Sequence, residues 1–323
     1  MKSLRCLVIV AVALLATAQS NLAGAKEPFP DRPIKIVVGT SPGGITDLGA
    51  RKLAELASKE LRGQPIVIEN KPGAMGTVAV GQIARGTTDG YTVMAVSTSS
   101  VLIGPLTTKV GFDPLKDLAY LMNYAGPSQA LLVRSDSKYQ TLDQLIADAK
   151  ANPGAIAYAT YGVADAGGFG IKALSKAKGV SFNQIPYQGS SQQLVALLAG
   201  EVQFTVTSNY MTDIRNGRMR ALALLDKQRY PGVPEVPTFK EKGIDFEFPW
   251  IMGLVTSAGV PADIRKKLEM AFVNAGKNPE FTKFMAQREV PAYILDADEM
   301  TREMRQYYAS FSRAVKEYGL QQP

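Results

Sequence analysis

The loop at 40–47 has the residue types that bind an anion without reacting with it. Its sequence, Thr-Ser-Pro-Gly-Gly-Ile-Thr-Asp, follows an apolar run and precedes an amphipathic segment. The two glycines allow positive φ and close backbone approach, and three hydroxyl residues add donors. The first N–H groups of a helix lack internal partners and carry partial positive charge. We predict that this segment, loop 1, holds a carboxylate; the alternative is an ordinary turn in which Asp47 pairs with Arg51.

Four later loops repeat this chemistry. Ser-Thr-Ser-Ser stands at 97–100, Tyr-Gly-Val-Ala-Asp-Ala-Gly-Gly at 161–168, Gln-Gly-Ser-Ser at 188–191, and Ser-Asn-Tyr at 208–210. None of these loops contains Lys, Arg or Cys. A site built from hydroxyl and amide donors, with few charged groups, suits reversible binding better than catalysis.

These loops connect alternating apolar and amphipathic segments, a pattern typical of βα units around a largely parallel sheet. Predicted strands cover 34–39, 65–70, 91–98, 155–160, 182–187, 202–209 and 220–226. Predicted helices cover 47–61, 76–84, 142–151, 168–178, 190–198, 261–274, 279–287 and 298–318, with a short extended stretch at 291–295. Since ligands of open α/β sheets bind beyond the carboxyl ends of the strands, we expect the five loops to form one site.

The fold class is therefore predicted to be α/β, with two domains that each contain a mainly parallel sheet flanked by helices. A length of 323 residues fits two domains at about 100–200 residues each. Two extended segments, around 118–133 and 246–256, are predicted to cross between them. The first domain would then be discontinuous, with residues 26–125 and 251–323, and the second would cover 126–250.

The composition excludes several catalytic and binding classes. The chain has no histidine and 1 cysteine, which excludes Ser-His-Asp and Cys-His catalysis, His-ligated metals and Cys-rich zinc sites. The formal net charge is +7, but the basic residues are spread along the chain and the densest runs, 215–220 and 265–267, are short. A nucleic-acid partner is therefore not expected.

The N-terminus has the pattern of a secretory signal peptide over residues 1–25. Lys2 and Arg5 precede a twelve-residue apolar core at 7–18, and Ala-Gly-Ala at 23–25 offers a cleavage site after Ala25. A membrane anchor would need about 20 apolar residues, so export is the preferred interpretation. The sequence predicts a periplasmic protein.

A series of motifs runs in order from residue 29 to residue 320. They include Phe-Pro-Asp-Arg-Pro-Ile at 29–34, Ser-Pro-Gly-Gly at 41–44, Glu-Asn-Lys-Pro-Gly at 69–73, Asp-Gly-Tyr-Thr at 89–92, Ala-Asn-Pro-Gly at 151–154, Pro-Tyr-Gln-Gly-Ser at 186–190 and Val-Pro-Glu-Val-Pro-Thr at 233–238. Together they resemble the Bug family, the extracytoplasmic solute receptors of tripartite tricarboxylate transporters. Each motif alone is weak, but the ordered series is specific.

The resemblance implies a type II-like periplasmic binding protein that closes on its ligand, with no catalytic residues, metal or cofactor. It implies a small carboxylate as ligand and membrane permease subunits as partners, and we expect a monomer. Ligand-binding residues implied in the first domain are Thr40, Ser41, Gly43, Gly44, Thr46, Asp47, Ser97, Thr98 and Ser99. Those expected in the second domain are Tyr161, Gly162, Val163, Asp165, Ala166, Gly167, Tyr187, Ser190, Ser208 and Asn209.

The chain departs from the family pattern in the second domain. Where the family commonly has Ser-Gly-Asn-Gly-Ser-Thr-Ser-His, this chain has Tyr-Gly-Val-Ala-Asp-Ala-Gly-Gly at 161–168, and Ser208-Asn209 replaces a frequent Asp-Asn pair. Ligand specificity is therefore not carried over. Tyr161 either stacks on a ligand ring or packs internally. Asp165 either faces the cleft, where it would repel an anionic ligand end, or caps the helix that follows.

The predicted function is a periplasmic receptor that captures a di- or tricarboxylate or an aromatic acid and delivers it to a membrane permease. One alternative is a soluble sensor that presents its liganded form to a membrane signalling protein. The other is an enzyme acting on an organic acid, for which the loops offer chiefly Asp47 and Asp165 as titratable groups.

Overall fold

The computed structural model describes residues 29–126, 128–160, 165–187, 190–208, 210–249 and 251–320. The predicted signal peptide lies outside these ranges. Within them, every helix is too short or too polar to span a bilayer.

The strands and helices alternate along most of the chain. The strands are β1 Ile34–Val38, β2 Ile66–Asn70, β3 Thr92–Ser97, β4 Leu118–Ala125, β5 Ala130–Arg134, β6 Ala157–Thr160, β7 Asn183–Pro186, β8 Phe204–Thr207, β9 Met219–Leu224, β10 Met252–Ser257 and β11 Ala292–Leu295. The helices are α1 Ile45–Glu60, α2 Thr77–Ala84, α3 Gly104–Thr107, α4 Leu142–Ala151, α5 Ala166–Lys178, α6 Ser190–Ala199, α7 Met211–Arg215, α8 Ala262–Lys277, α9 Pro279–Ala286 and α10 Ala297–Glu317. A 3₁₀ turn at Ala74–Gly76 precedes α2, and a π-helical turn at Ser99–Ile103 precedes α3.

The first sheet has six strands in the order β11-β4-β10-β3-β1-β2. Strand β1 pairs in parallel with β2 and with β3, and the other pairings are antiparallel. The apolar side chains of β1 are almost completely buried because helices cover both faces of the sheet. The carboxyl ends of β1, β2 and β3 therefore meet at one edge.

The second sheet has five strands in the order β7-β6-β8-β5-β9. Strand β6 pairs in parallel with β7 and β8, whereas β5 is antiparallel to β8 and β9. The second sheet takes all its strands from residues 130–224, whereas the first sheet takes its strands from both sides of that range. The domain bounds themselves remain a prediction.

The first crossing joins the carboxyl-end edges of the two sheets. Met252 pairs with both Ser97 and Ala125, so β4 ends at the same edge as β3. Ala130, the first residue of β5, pairs with Thr207 at the end of β8. Only four residues separate Ala125 from Ala130. The carboxyl ends of β3 and β8 therefore both lie beside the first crossing.

The C-terminal helix α10 contacts the cores of both sheets. Met300 and Met304 pack with the first-sheet core, while Phe311 and Val315 belong to the core beside the second sheet. The Phe311 ring lies 5.0 Å from that of Phe169 in α5, measured between centroids. Because one rigid helix fills both cores, it adds a link between the two sheets next to the second crossing segment, where Phe311 packs against Phe246 and Phe248.

The predicted elements agree with the structure to within two or three residues at most ends. The sequence predictions omitted the π-helical turn with α3 and the five-residue helix α7. These elements are short and carry no long apolar periodicity, which is the signal on which helix prediction depends.

Candidate functional site

Loop 1 leads from β1 into the exposed N-terminus of α1. Thr40, Ser41, Gly43 and Gly44 are all exposed. Gly44 is the N-cap of α1 and provides no side-chain hydrogen bond to the first turn. The N–H groups at the start of this helix therefore lack a side-chain acceptor from the cap residue and face the edge where the loops meet.

A buried network centred on Asp47 fixes the shape of loop 1. One carboxylate oxygen accepts hydrogen bonds from the Gly43 N–H at 2.9 Å and the Arg51 Nε at 3.0 Å. The other accepts from Asn70 Nδ2 at 2.9 Å, and the same nitrogen reaches the Thr40 carbonyl at 3.0 Å. Asn70 ends β2, so this network joins loop 1 to the neighbouring parallel strand.

The same network determines the charge state of the Asp47 carboxylate, which is 1% exposed. Burial by itself raises the pKa of Asp47, but hydrogen bonds from Arg51, Gly43 and Asn70, with the Arg51 charge, outweigh it and hold the pKa below its ordinary value. The Arg51 cation balances the carboxylate, so loop 1 presents N–H dipoles without a net negative charge. The predicted pairing of Asp47 with Arg51 is confirmed.

The two glycines of loop 1 have different roles. Gly43 has φ of 86°, a conformation that strains any side chain with a Cβ. Gly44 has φ of −70° and ψ of 160°, which any residue adopts, and a Cβ there would lie 3.6 Å from the Ser41 carbonyl oxygen. Positive φ is thus needed only at Gly43. Gly44 leaves open space at the N-terminus of α1.

Thr46 and Thr98 are buried and serve the framework of the first sheet. The Thr46 carbonyl accepts a hydrogen bond from the buried Tyr124 hydroxyl at 3.2 Å. The Thr98 hydroxyl donates to the Pro249 carbonyl at 2.8 Å and accepts from the Ile251 N–H at 2.6 Å. Thr98 therefore fastens the second crossing segment to the end of β3. Its neighbours Ser97 and Ser99 are half-buried at the same edge.

Asp165 caps helix α5 at the facing edge of the second sheet. Its Oδ1 accepts from the Gly168 N–H and from the Thr160 hydroxyl, both at 2.6 Å. The capping interpretation is thereby confirmed. Ala166 and Gly167 follow in the first turn of α5 and are buried.

The other predicted residues of the second sheet are only partly described. Tyr187 is half-buried, and its hydroxyl donates to Glu201 at 3.2 Å, beyond the far end of α6. Ser208 is half-buried after β8, and Ser190 begins α6. Tyr161, Gly162, Val163 and Asn209 lie outside the described residues.

The ends of β1 and β3 lie at one edge of the first sheet and those of β6 and β8 at one edge of the second sheet, and the prediction that their loops form one site stays a prediction. The backbone of loop 1 is exposed, whereas Thr46, Asp47 and Thr98 are buried and hold the framework. Sequence reasoning missed Asn70 as a partner of loop 1. Asn70 belongs to the Glu-Asn-Lys-Pro-Gly motif, and this motif was the one signal that could have indicated it. Only the pairing of β1 with β2 shows that Asn70 contacts loop 1.

A cavity of about 310 Å³ lies beside the crossing segments. It is lined by parts of both sheets and by α10, and none of its lining residues is a predicted ligand-binding residue. Asp226, Tyr293 and Glu303 supply ionisable groups to its wall. This cavity is therefore separate from the site predicted at loop 1.

Comparison with protein families gives one match over most of the chain. The sequence profile of the tripartite tricarboxylate transporter family receptor matches residues 49–320. A Cupriavidus necator protein called "UPF0065 protein in gbd 5'region" is 34% identical over 314 residues, which cover 97% of this chain and 95% of that protein.

Solved structures with the same fold include a periplasmic binding protein and two proteins with an organic acid. The periplasmic binding protein BugD is 27% identical with a TM-score of 0.73, over 91% of this chain and 100% of that chain. MatC from Rhodopseudomonas palustris with bound malate is 24% identical with a TM-score of 0.72, over 89% and 100% of the two chains. An R. palustris protein with adipate is 24% identical with a TM-score of 0.74, over 90% and 98%.

Proposed function

Since the chain belongs to the tripartite tricarboxylate transporter receptor family, we propose that it captures a small organic carboxylate between its two sheets and delivers it to a membrane permease. The family and the fold are those of solute-binding receptors and not of enzymes. The ligand, the permease and the ligand-binding residues are the parts that we propose for this chain.

The exposed start of α1 is the observation that carries the proposal. Loop 1 offers N–H groups with no side-chain acceptor at the cap, next to the Thr40 and Ser41 hydroxyls. The helix dipole favours an anion there by about 0.3–2 kcal/mol, and a hydrogen bond to a charged group adds about 1.5–3 kcal/mol. Asp47 does not oppose this because Arg51 balances its charge. We therefore assign the ligand carboxylate to loop 1.

The facing edge of the second sheet would hold the other end of the ligand. The start of α5 is already capped by Asp165, so it offers fewer free N–H groups than α1. A far end that is neutral or donates a hydrogen bond fits this edge better than a second bare anion. Neighbours of the same fold were solved with malate and adipate, which supports an organic acid of similar size.

Closure follows from contacts to both edges. A ligand that touches loop 1 and the loops after β6 and β8 binds the closed arrangement better, and so it shifts the population toward closure. We propose a monomer with domains at 26–125 plus 251–323 and at 126–250, linked also by α10. We further propose that residues 1–25 direct export to the periplasm, with cleavage after Ala25.

The first experiment screens the protein without residues 1–25 against organic acids by thermal shift. A ligand at 100 times its dissociation constant adds about 2.7 kcal/mol to the free energy of unfolding, which is readily detected. Malate, adipate and benzoate belong in the panel, with glucose as a neutral control. Stabilisation by a sugar and by none of the acids would contradict the proposal.

Gly44→Val then tests loop 1 with whichever acid binds. The valine fits the unliganded backbone but occupies the space that a carboxylate needs, so affinity should fall about 100-fold in calorimetry. The melting temperature without ligand should stay close to that of the wild type. Small-angle scattering should show compaction with ligand only in the wild type. Normal affinity in Gly44→Val would remove loop 1 from the site.

A further inference from the structure

A second pocket lies on the other side of the crossing segments from loop 1. It is the 310 Å³ cavity described above, here named the crossing pocket, with Ser128, Asp226, Phe248, Tyr293 and Met304 in its wall. The predicted ligand loops follow β1 and β3 in the first sheet and β6 and β8 in the second. The pocket instead lies toward the outermost strand on the other side of each sheet, at β11 in the first sheet and at the end of β9 in the second. Its volume is within the range of small-molecule sites.

Asp226 places a carboxylate in this pocket. It accepts hydrogen bonds from the Ser128 hydroxyl and, at 3.2 Å, from the Gln129 N–H. The Tyr210 hydroxyl in turn donates to Ser128 Oγ at 2.7 Å. Among the described residues, no Lys or Arg forms an ion pair with Asp226. Both hydrogen bonds come from neutral donors, so its negative charge is left without a counter-charge.

The environment of Asp226 makes that charge unfavourable. Protein atoms surround the carboxylate, and burial raises its pKa to about 6 despite the hydrogen bonds from Ser128 and Gln129. The residue nevertheless keeps partial solvent access because it borders the cavity. At neutral pH the pocket therefore contains an enclosed but reachable anion, and buried anions are stabilised by a cation brought close to them.

The opposite wall is aromatic and acidic. The Tyr293 hydroxyl donates to Glu303 at 3.0 Å, and burial together with the charges of Glu303, Glu299 and Glu247 raises the pKa of Tyr293 to about 12. Negative potential thus reaches the pocket from the first sheet as well as from Asp226. Tyrosine rings and carboxylates are the groups that bind organic ammonium ions.

The basic residues of the pocket stand at its exposed rim. Lys227 and Arg229 are both exposed, and the Arg229 Nε lies 3.0 Å from the carboxylate oxygens of Glu241. Arg229 therefore already forms an ion pair with Glu241, outside the pocket interior. The interior wall, in contrast, combines Asp226 with Phe248, Met300 and Met304.

We propose that the crossing pocket is a second ligand site, specific for a small primary amine with an apolar or aromatic body. The ammonium group donates to Asp226, and the body packs against Phe248, Met300 and Met304. This site is independent of the carboxylate site proposed at loop 1. Because its walls come from both sheets, an occupant also affects how the two sheets move relative to each other.

Calorimetry with three matched probes tests the charge preference. Benzylamine, benzyl alcohol and benzoate share a ring and differ in the charge of the polar group. We expect saturable benzylamine binding at millimolar concentrations, with benzyl alcohol at least about tenfold weaker. Equal affinity for the amine and the alcohol, or no saturable amine binding, would overturn the proposal.

Variants then locate the amine. Asp226→Asn should weaken benzylamine by about tenfold or more, and Ala292→Phe should weaken it by filling the pocket from the half-buried start of β11. Glu55→Gln removes an exposed carboxylate from α1 and should leave the affinity unchanged. Unchanged affinity in both pocket variants, once thermal melts show that they fold, would place the amine elsewhere.

Gly44→Val separates this proposal from the one above. Because loop 1 does not line the crossing pocket, this variant should lose carboxylate binding and keep the wild-type affinity for benzylamine. Loss of benzylamine binding in Gly44→Val, with the fold intact, would show that the amine occupies the loop 1 site. That result would refute the second site but leave the carboxylate site supported.

Discussion

Asp47 and Asp226 are both enclosed by protein, but the two carboxylates have different partners and burial acts more strongly on Asp226. Asp47 receives the Arg51 guanidinium as well as two neutral donors, and its pKa lies below the ordinary value. Asp226 receives two neutral donors, and its pKa rises to about 6. At Asp226 two hydrogen bonds from neutral donors do not outweigh burial, whereas at Asp47 three hydrogen bonds, the strongest of them from the Arg51 guanidinium, outweigh it.

The two environments suit two uses. The Asp47 network holds loop 1 in shape and keeps it free of net charge, so that the start of α1 can receive an anion. Asp226 has no ion-pair partner among the described residues, and it faces a cavity. The first carboxylate is a positioning group, and the second is a group that an added cation would stabilise.

The largest expected effect is the pH dependence of Asp226→Asn. Folding raises this pKa from 3.8 to about 6, a preference for the protonated form of about 3 kcal/mol. The folded state then binds more protons than the unfolded state, so wild-type stability falls as the pH rises through about 6. Between about pH 4 and pH 8, the free energy of unfolding of Asp226→Asn, measured with urea, should rise by about 3 kcal/mol relative to that of the wild type.

The two tyrosines near Asp226 do not ionise in this window. Burial raises the pKa of Tyr210 and of Tyr230, so neither hydroxyl ionises there. Glu55→Gln is the control, since its exposed carboxylate should give no comparable shift. A stability difference that stays constant with pH would show that the Asp226 carboxylate is as well solvated in the folded state as in the unfolded state.

Asp47→Ala should have an effect of opposite sign, at about 2 kcal/mol. The variant removes the acceptor for Gly43, Arg51 and Asn70, so the free energy of unfolding should fall at neutral pH. Since folding lowers this pKa, the stabilisation is complete above about 3.8 and is lost as the pH falls through the folded value. Wild type and variant should therefore converge in strong acid. A difference that grows with acidification would contradict the lowered pKa.

Arg51→Ala should have the smallest effect, about 0.5–1 kcal/mol, because its side chain is 47% exposed and the ion pair is partly screened. This variant tests the comparison with Asp226, because it leaves Asp47 with hydrogen bonds from neutral donors only. The Asp47 pKa, followed by NMR, should then move upward, toward the behaviour of Asp226. Lys59→Ala, in the last turn of the same helix, is the control. A pKa that does not move would assign the shift to the neutral hydrogen bonds alone.

Much of the fold could be predicted because its signals are local. Short apolar runs indicated the strands, and amphipathic segments indicated the long helices. A cap was one of the two roles that the sequence left open for Asp165, because a carboxylate three residues before a helical N–H is a short-range arrangement. The positive φ at Gly43 fits the same reasoning, although the sequence did not distinguish it from Gly44.

Long-range partners could not be predicted in this way. Asn70 lies 23 residues from Asp47, and it reaches the carboxylate only because β2 pairs with β1. In the sequence, Asp226 is only the last residue of a predicted strand. Nothing near it in sequence indicates that the Ser128 hydroxyl donates a hydrogen bond to it or that a cavity opens beside it.

The C-terminal helix α10 shows both what local sequence determines and what only tertiary structure determines. The sequence predicts a helix at 298–318, and the spacing of Met300, Met304, Phe311 and Val315 is typical of a helix with one buried face. Only the tertiary structure decided that the first half of this face packs on one core and the second half on the other. The sequence determined local conformation and the chemistry of each loop, because both depend on neighbouring residues. The charge state of a buried carboxylate and the partners of a helix face depend on which distant elements surround them, and that was decided by the order of the strands in the two sheets.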